Sequence, residues 1–265
     1  MSMQTDSDSG LEVRHNGPVT TLLIDRPARR HALNAGVVRA LIAALDAAEA
    51  DPGCRVLVLG STGDGVFSAG ADLERGPGAA FAIDAADPRN FIGGLLGRLA
   101  STRLPLIARV QGPAFAGALG LIATADLVVA ADTARFALPE VRVGTFPLMI
   151  APLLLRVLPA RVFMRLCLTG EPLSAAEALR VDFVNEVVPA SQLDGRVAEL
   201  AATIAANSPT AIRLGKQALY RLRDLDLEAA LAHAEIMSVV LSRTEDGAEG
   251  PRAFLEKRPP EWTGR

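Results

Sequence analysis

The chain has little cysteine, few aromatic residues, no long apolar run and no strong excess of either charge. Each shortage removes a class of protein. Its two cysteines, Cys54 and Cys167, lie far apart, and neither has a Cys or His at metal-ligand spacing. A disulfide framework and a zinc site are both unsupported, and a reduced cytoplasmic setting fits best. No apolar run reaches the roughly 18 residues that a membrane span requires. The most apolar loop-like stretch, 144–155, is broken by Pro147 and Pro152. With 27 basic and 30 acidic residues the formal net charge is −3, so neither nucleic acid nor an anionic membrane is indicated as a partner. Arginine is still plentiful enough to build a local patch for a phosphorylated ligand.

What is present is alanine and leucine. Hydrophobic residues make up 50% of the chain and aromatics 4%, a balance that favours helices packed through small side chains. A length of 265 residues suits one large domain, or a domain with an appendage, around a sizeable core. Residues 1–10 are polar and carry Asp6 and Asp8. They lack the basic start and apolar stretch of a signal peptide and are expected to form a disordered tail.

Val19–Ile24 reads as a strand ended by Asp25-Arg26-Pro27. Asn34 is a candidate N-cap for a helix to about Ala50, with Val37, Leu41, Ile42, Leu45 and Ala48 on one face. Asp51-Pro52-Gly53 stops that helix, and 55–59 is a buried-type strand. Residues 73–89 are rich in Gly, Ala, Pro and Asp and read as a mobile loop or weak helix. A helix over 90–100, a strand over 106–110, a small-residue helix over 117–125 and strands over 127–130 and 135–137 follow. This alternation predicts an α/β core with helices outside the sheets. Beyond Ser174 helices dominate, over 192–206, 210–222 and 227–241, with a final short one through Phe254.

Two glycine-containing turns each follow a strand. One is Phe67-Ser68-Ala69-Gly70-Ala71-Asp72-Leu73; the other runs from Gln111-Gly112-Pro113 through Gly117 to Gly120. Small residues let a ligand approach the backbone, and free N–H groups there are hydrogen-bond donors. Either turn alone reads as readily as a tight structural turn. Neither is a phosphate loop, since no Gly-Lys-Ser/Thr follows Gly60-Ser61-Thr62-Gly63, and dinucleotide glycine spacing is absent. Ser68 is not in a nucleophile elbow, and His15, His31 and His233 stand in no triad context.

Taken in order, the motifs resemble the enoyl-CoA hydratase/isomerase (crotonase) family. They are Arg26-Pro27 with Ala32-Leu33-Asn34, the two turns above, and Phe136-Ala137-Leu138-Pro139-Glu140 with Gly144. Leu168-Thr169-Gly170 with Ser174-Ala175 and Glu177-Ala178 continues the series. Glu249-Gly250 with Ala253-Phe254-Leu255-Glu256-Lys257-Arg258 ends it.

The resemblance covers nearly all the chain beyond residue 10. It implies a β-β-α spiral core over 11–200, a C-terminal helical trimerisation region over 201–265, and a homotrimer or dimer of trimers. It also implies an acyl-CoA thioester substrate and no separate cofactor or metal, since coenzyme A arrives with the substrate. On the family pattern the amides of Ala71 and Gly117 form an oxyanion hole, and Glu140 exchanges a proton with the α-carbon. Ala69, Asp72, Leu73 and Pro139 fall in the substrate-binding motifs, with Asp72 expected to hold the turn. Arg29 and His31 match the stretch that meets the CoA phosphates. Phe254 and Lys257 match positions that reach a neighbouring subunit's CoA. For Arg29 and His31 a solvated surface, and for Phe254 and Lys257 a capped terminal helix, are the alternatives.

The chain departs from the family where a hydratase has a second glutamate, in the helix after Gly117. Gly120 stands there, and 111–125 contains no acid at all, so a shift of register does not supply one. Adding water asks for two proton-handling groups, whereas a double-bond shift needs one base. A lone Glu140 therefore points to double-bond isomerisation over hydration, with partial burial expected to raise its pKa. Three alternatives stand beside this. Glu140 could be an ion-pair partner of Arg142 or Arg135. Glu74, Asp84 or Asp87 could supply a second acid. The chain could also bind acyl-CoA without turning it over. Thr145-Phe146-Pro147-Leu148-Met149-Ile150 replaces the small residues usual after Gly144 and would reshape the acyl pocket or only pack the core.

Overall fold

The computed structural model describes residues 2–6, 10–72 and 91–265. Its strands are β1 (Ser2–Asp6), β2 (Leu11–Asn16), β3 (Val19–Ile24), β4 (Val56–Ser61) and β5 (Leu106–Val110). Then come β6 (Ala114–Phe115), β7 (Leu127–Ala131), β8 (Arg135–Ala137), β9 (Leu173–Ser174) and β10 (Glu186–Val188). The helices are α1 (Ala35–Ala50), α2 (Phe91–Ala100), α3 (Gly117–Ala123), α4 (Ala151–Val157) and α5 (Ala160–Thr169). They continue with α6 (Ala175–Arg180), α7 (Leu193–Ala205), α8 (Pro209–Leu222), α9 (Leu227–Ser242) and α10 (Glu245–Glu256).

The main sheet has the order β1-β2-β3-β4-β5-β7-β10. Its first three strands pair antiparallel, and those from β3 onward pair parallel. A smaller sheet, β6-β8-β9, is separate, and an isolated bridge joins its Ala114 to Ser68 in the loop after β4. Both faces of the parallel part are covered. Leu57 and Leu59 of β4 enter the main core with Leu41 and Leu45 of α1, while Val56 and Val58 meet Leu193, Val197 and Ala201 of α7. That double burial is why these strands read as continuous apolar runs instead of alternating.

Helix α1 begins where its cap was expected: Asn34 Oδ1 accepts from the Val37 amide at 2.9 Å. Its stripe of Val37, Val38, Leu41, Leu45 and Ala48 is buried, each large member being worth about 1.5–3 kcal/mol on transfer from water. Ser174 and Glu177 close a capping box on α6. The backbone of Ser2–Asp6, inside the stretch read as a tail, lies as strand β1, with Ser2 opposite His15 and Asp6 opposite Leu11. Polar side chains do not prevent this, because an edge strand is held through its backbone groups. Among the described residues no helix is long and apolar enough to cross a membrane.

Candidate active site

The first turn is built by consuming its amides one after another. The Phe67 amide donates to Pro113 O (2.9 Å) and the Ala69 amide to Arg30 O (2.9 Å). The Gly70 amide donates to Ser68 Oγ at 3.1 Å, and the Asp72 amide to Leu33 O at 2.8 Å. Ser68 Oγ in turn donates to His31 O at 2.8 Å. Ser68 is therefore a buried brace with its hydroxyl committed, not a nucleophile. The Ala71 amide has no acceptor among the described residues.

The second turn lies against the first. The Phe115 amide donates to Ser68 O at 3.0 Å, and the Ala116 amide to Ala137 O at 2.9 Å. Ala116 has φ 53° and ψ −125°, a conformation costly for a residue with a Cβ. It turns the chain so that Gly117 begins α3 with its amide likewise unmatched among the described residues. A Cβ on Gly117 would lie 3.6 Å from the Ala71 nitrogen, which measures how close the two free donors sit. Gly112 admits no side chain either: a Cβ there would fall 1.7 Å from Gly65 O.

Glu140 reaches the same place by way of β8. That strand pairs with β6 in parallel, Phe136 opposite Ala114 and Ala137 opposite Phe115, and runs directly into the 3-10 turn Pro139–Val143. Glu140 is half-buried there, and burial pushes its carboxyl above the usual glutamate range, opposed only by its own backbone amide. Its Oε2 is buried without a hydrogen-bond partner. The alternative ion pair with Arg142 or Arg135 is not formed: among the described residues Arg142 reaches Thr169 O (3.4 Å) and Arg135 reaches Ala134 O (2.8 Å). Behind Glu140, burial and the nearby carboxylate push the Cys167 thiol up to about 11.

Ala69, Ala71, Gly117, Pro139 and Glu140 line one cavity of about 250 Å³, walled further by Ile92, Val143, Phe146, Met149 and Ile150. So Met149 and Ile150 do face this cavity, while Leu148, also in that segment, does not line it. Among the described residues Glu140 is the sole carboxylate on its lining. A larger cavity of about 1080 Å³ opens beside α8 around Lys216, Asp126 and Tyr220. There the polar groups satisfy one another, Lys216 Nζ to Asp126 Oδ2 at 2.6 Å and Tyr220 OH to Asp126 Oδ1 at 2.8 Å. The smaller cavity is the better reaction site, because its two amides and one carboxylate oxygen are left unmatched.

The remaining expected residues divide. Asp72 holds the turn through its side chain as well as its amide: Arg26 Nη1 bonds both Asp72 Oδ2 (2.9 Å) and Ala32 O (2.6 Å). Arg26 was visible in the sequence as part of a motif, but nothing there named its partner 46 positions away. His31 corrects the expectation of a phosphate contact. It is 4% exposed, its Nδ1 accepts from the Arg26 amide at 3.2 Å, and burial lowers its pKa, so it is an internal brace whose charged form is disfavoured. Arg29 is exposed at the end of the Pro27–Arg29 turn. Phe254 is 83% exposed on α10, with Lys257 as that helix's C-cap, and neither lines this cavity. Leu73, and the candidate second acids Glu74, Asp84 and Asp87, lie outside the described residues.

Residues 14–265 match the family model described as Enoyl-CoA hydratase/isomerase. The chain is 35% identical over 259 residues to 2,3-dehydroadipyl-CoA hydratase of Escherichia coli, covering 97% of this chain and 100% of that one. It is 35% identical over 261 residues to carnitinyl-CoA dehydratase of Salmonella arizonae, covering 96% and 98%. Among solved structures, an enoyl-CoA hydratase from Bacillus anthracis superposes with a TM-score of 0.89 at 27% identity, covering 97% of this chain and 100% of that one.

Proposed function

The chain belongs to the enoyl-CoA hydratase/isomerase family, and from that premise we propose that it moves the double bond of an enoyl-CoA with Glu140 as its proton shuttle. The thioester oxygen accepts hydrogen bonds from the amides of Ala71 and Gly117. Glu140 removes a proton from C2 of a 3-enoyl thioester, and the C–H electron pair passes toward that oxygen to form a dienolate. The same carboxyl returns the proton to C4, leaving the double bond between C2 and C3. Donors aimed at the developing oxyanion each contribute on the order of 3 kcal/mol to the barrier, and a placed base about 10²–10⁴-fold in rate.

The observation that carries this reading is the isolation of Glu140. It is the one carboxylate on the cavity lining among the described residues, and its Oε2 has no partner. Burial pushes this carboxyl above the usual glutamate range, the direction that helps one group both take and give a proton. Hydration is the second reading. It is favoured by the hydratase and dehydratase names of relatives 35% identical to this chain, and it takes a second acid from 74–90.

A paired assay on a 3-enoyl-CoA and on crotonyl-CoA, with wild type and Glu140→Ala, separates the two. Isomerisation that disappears with Glu140 supports the first reading. Brisk hydration of crotonyl-CoA that survives Glu140→Ala defeats it.

The assembly is a homotrimer or a dimer of trimers formed through the C-terminal helices. Helix α9 supports this, because none of its 16 residues is buried within one chain, and Leu227, Leu231, Ile236 and Val239 are all more than half exposed. Arg29 contacts the CoA phosphates, and Phe254 and Lys257 reach a neighbour's CoA.

A further inference from the structure

Gly120 of α3 and Ile150, the residue before α4, compete for one volume beside the cavity. A Cβ on Gly120 would lie 2.5 Å from Ile150 Cγ2, 3.2 Å from Ile150 Cβ and 3.2 Å from Leu96 Cδ2. The backbone at 120 is ordinary helix without positive φ, so conformation does not demand glycine there. What excludes a side chain is the space already taken. Ile150 is 2% exposed and lines the cavity, whereas Gly120 does not. Beside Gly120 the wall of the cavity is therefore the branched side chain of Ile150.

A water held for attack needs about two to four polar partners. Ile150 offers none, and its neighbours on the lining include Ile92, Phe146 and Met149. Among the described residues the polar side chains of the lining are Glu140, Arg142 and Thr145. Hydration would join the water oxygen to C3 and place one water proton on C2, leaving the hydroxyl on C3. Arg142 and Thr145 can offer a water hydrogen bonds but not a second carboxylate, and Glu140 as the single carboxylate described there cannot both activate that water and deliver the proton to C2.

We infer that Ile150 is a specificity-determining residue: it fills the space a water-holding group on α3 would require, and so lets the 2-enoyl product leave without adding water. This rests on the reading of Glu140 and the paired amides given above. It predicts that water addition is blocked by a methyl-lined wall that a single substitution opens.

The test compares Ile150→Thr, Ile150→Ala and Ile150→Val with wild type on a 3-enoyl-CoA and on crotonyl-CoA. The readout is 3-hydroxyacyl-CoA formed per isomerisation event. Deuterium exchange at C2 of butyryl-CoA is followed in parallel and reports Glu140 and the amides without any water addition. Threonine keeps the β-branch and adds a hydroxyl; valine matches its volume without one and serves as the folding control. The threonine variant is expected to raise the hydration-to-isomerisation ratio about tenfold or more, the scale of one placed hydrogen bond, and the alanine variant, which opens the space without placing a bond of its own, by a smaller factor. Valine keeps the wild-type ratio. Folded threonine and alanine variants that partition as wild type does would overturn the role of Ile150 while leaving the isomerase reading intact. A wild type that neither exchanges the C2 proton nor isomerises would overturn both.

Discussion

A Cβ on Gly70 would lie 2.7 Å from the carbonyl oxygen of Phe115. The two glycine turns are thus in backbone contact, and the distance between their free amides is set by a residue that has no side chain. Gly70 also has φ +85°, which an L side chain adopts only under strain. Gly70→Ala is expected to push the turns apart, costing about 1–3 kcal/mol of stability and about 10²-fold in kcat. Thermal melts and steady-state kinetics on an enoyl-CoA check both figures.

Glu140→Gln keeps the shape of the side chain and removes its proton chemistry. Isomerase kcat should fall about 10²–10⁴-fold with little change in melting temperature. The pH profile carries a further signature. The folded carboxyl titrates above its unfolded value because burial disfavours its charge. In wild type the rate should therefore rise with pH through an inflection above the ordinary glutamate range. Stability should move the opposite way: it is greatest with Glu140 protonated and falls as pH rises from the unfolded pKa through the raised folded one. The Gln variant lacks that fall, which a melting series over pH will show.

Arg26 and Asp72 are 17% and 11% exposed in their side chains and 2.9 Å apart, so they tie the first turn to the Pro27–Leu33 stretch with little screening. Removing either partner should cost about 2–4 kcal/mol. A double-mutant cycle on Arg26→Met and Asp72→Asn should show a coupling energy of about 1 kcal/mol or more. Purely additive losses would mean that the pair is incidental.

Glu249 anchors the C-terminal segment. Its carboxylate takes Arg258 at 2.5 Å and the Glu261 amide at 2.9 Å, with Arg252 also in contact, and these hold its pKa well below the usual carboxylate range. A depressed pKa contributes stability above the unfolded value and loses it as pH falls toward the folded one. The tail should therefore detach from α10 in acid. Trp262, the chain's single tryptophan, donates to Ala206 O at 3.0 Å and reports this directly. Its emission should shift to the red on acidification in wild type, and already at neutral pH in Glu249→Gln.

Elements with a local cause were legible. Asn34 capping α1, the strands Val19–Ile24 and Leu106–Val110, and the three long C-terminal helices follow from side-chain periodicity and caps that neighbouring residues supply. Strand β2 is not among the strands expected above, although its sequence carries a signal for one. Leu11 and Val13 alternate with Glu12 and Arg14, and Gly17-Pro18, with φ +55° at the glycine, makes the two-residue turn to β3. Helices α4 and α5 are harder to read, because most of α4 is partly exposed and both follow proline-containing connections.

By itself the sequence determined the family, the two turns whose backbone must lie bare, and the absence of an acid between positions 111 and 125. These are chemical identities, and a residue's identity is complete without its neighbours. Only the tertiary structure decided that His31 points inward, that Arg26 pairs with Asp72, that Glu140 Oε2 has no partner among the described residues, and that Ile150 occupies the space beside Gly120. Those are relations between side chains distant along the chain. They depend on how β6, β8 and α3 pack, because burial and excluded volume arise only once the chain has closed on itself.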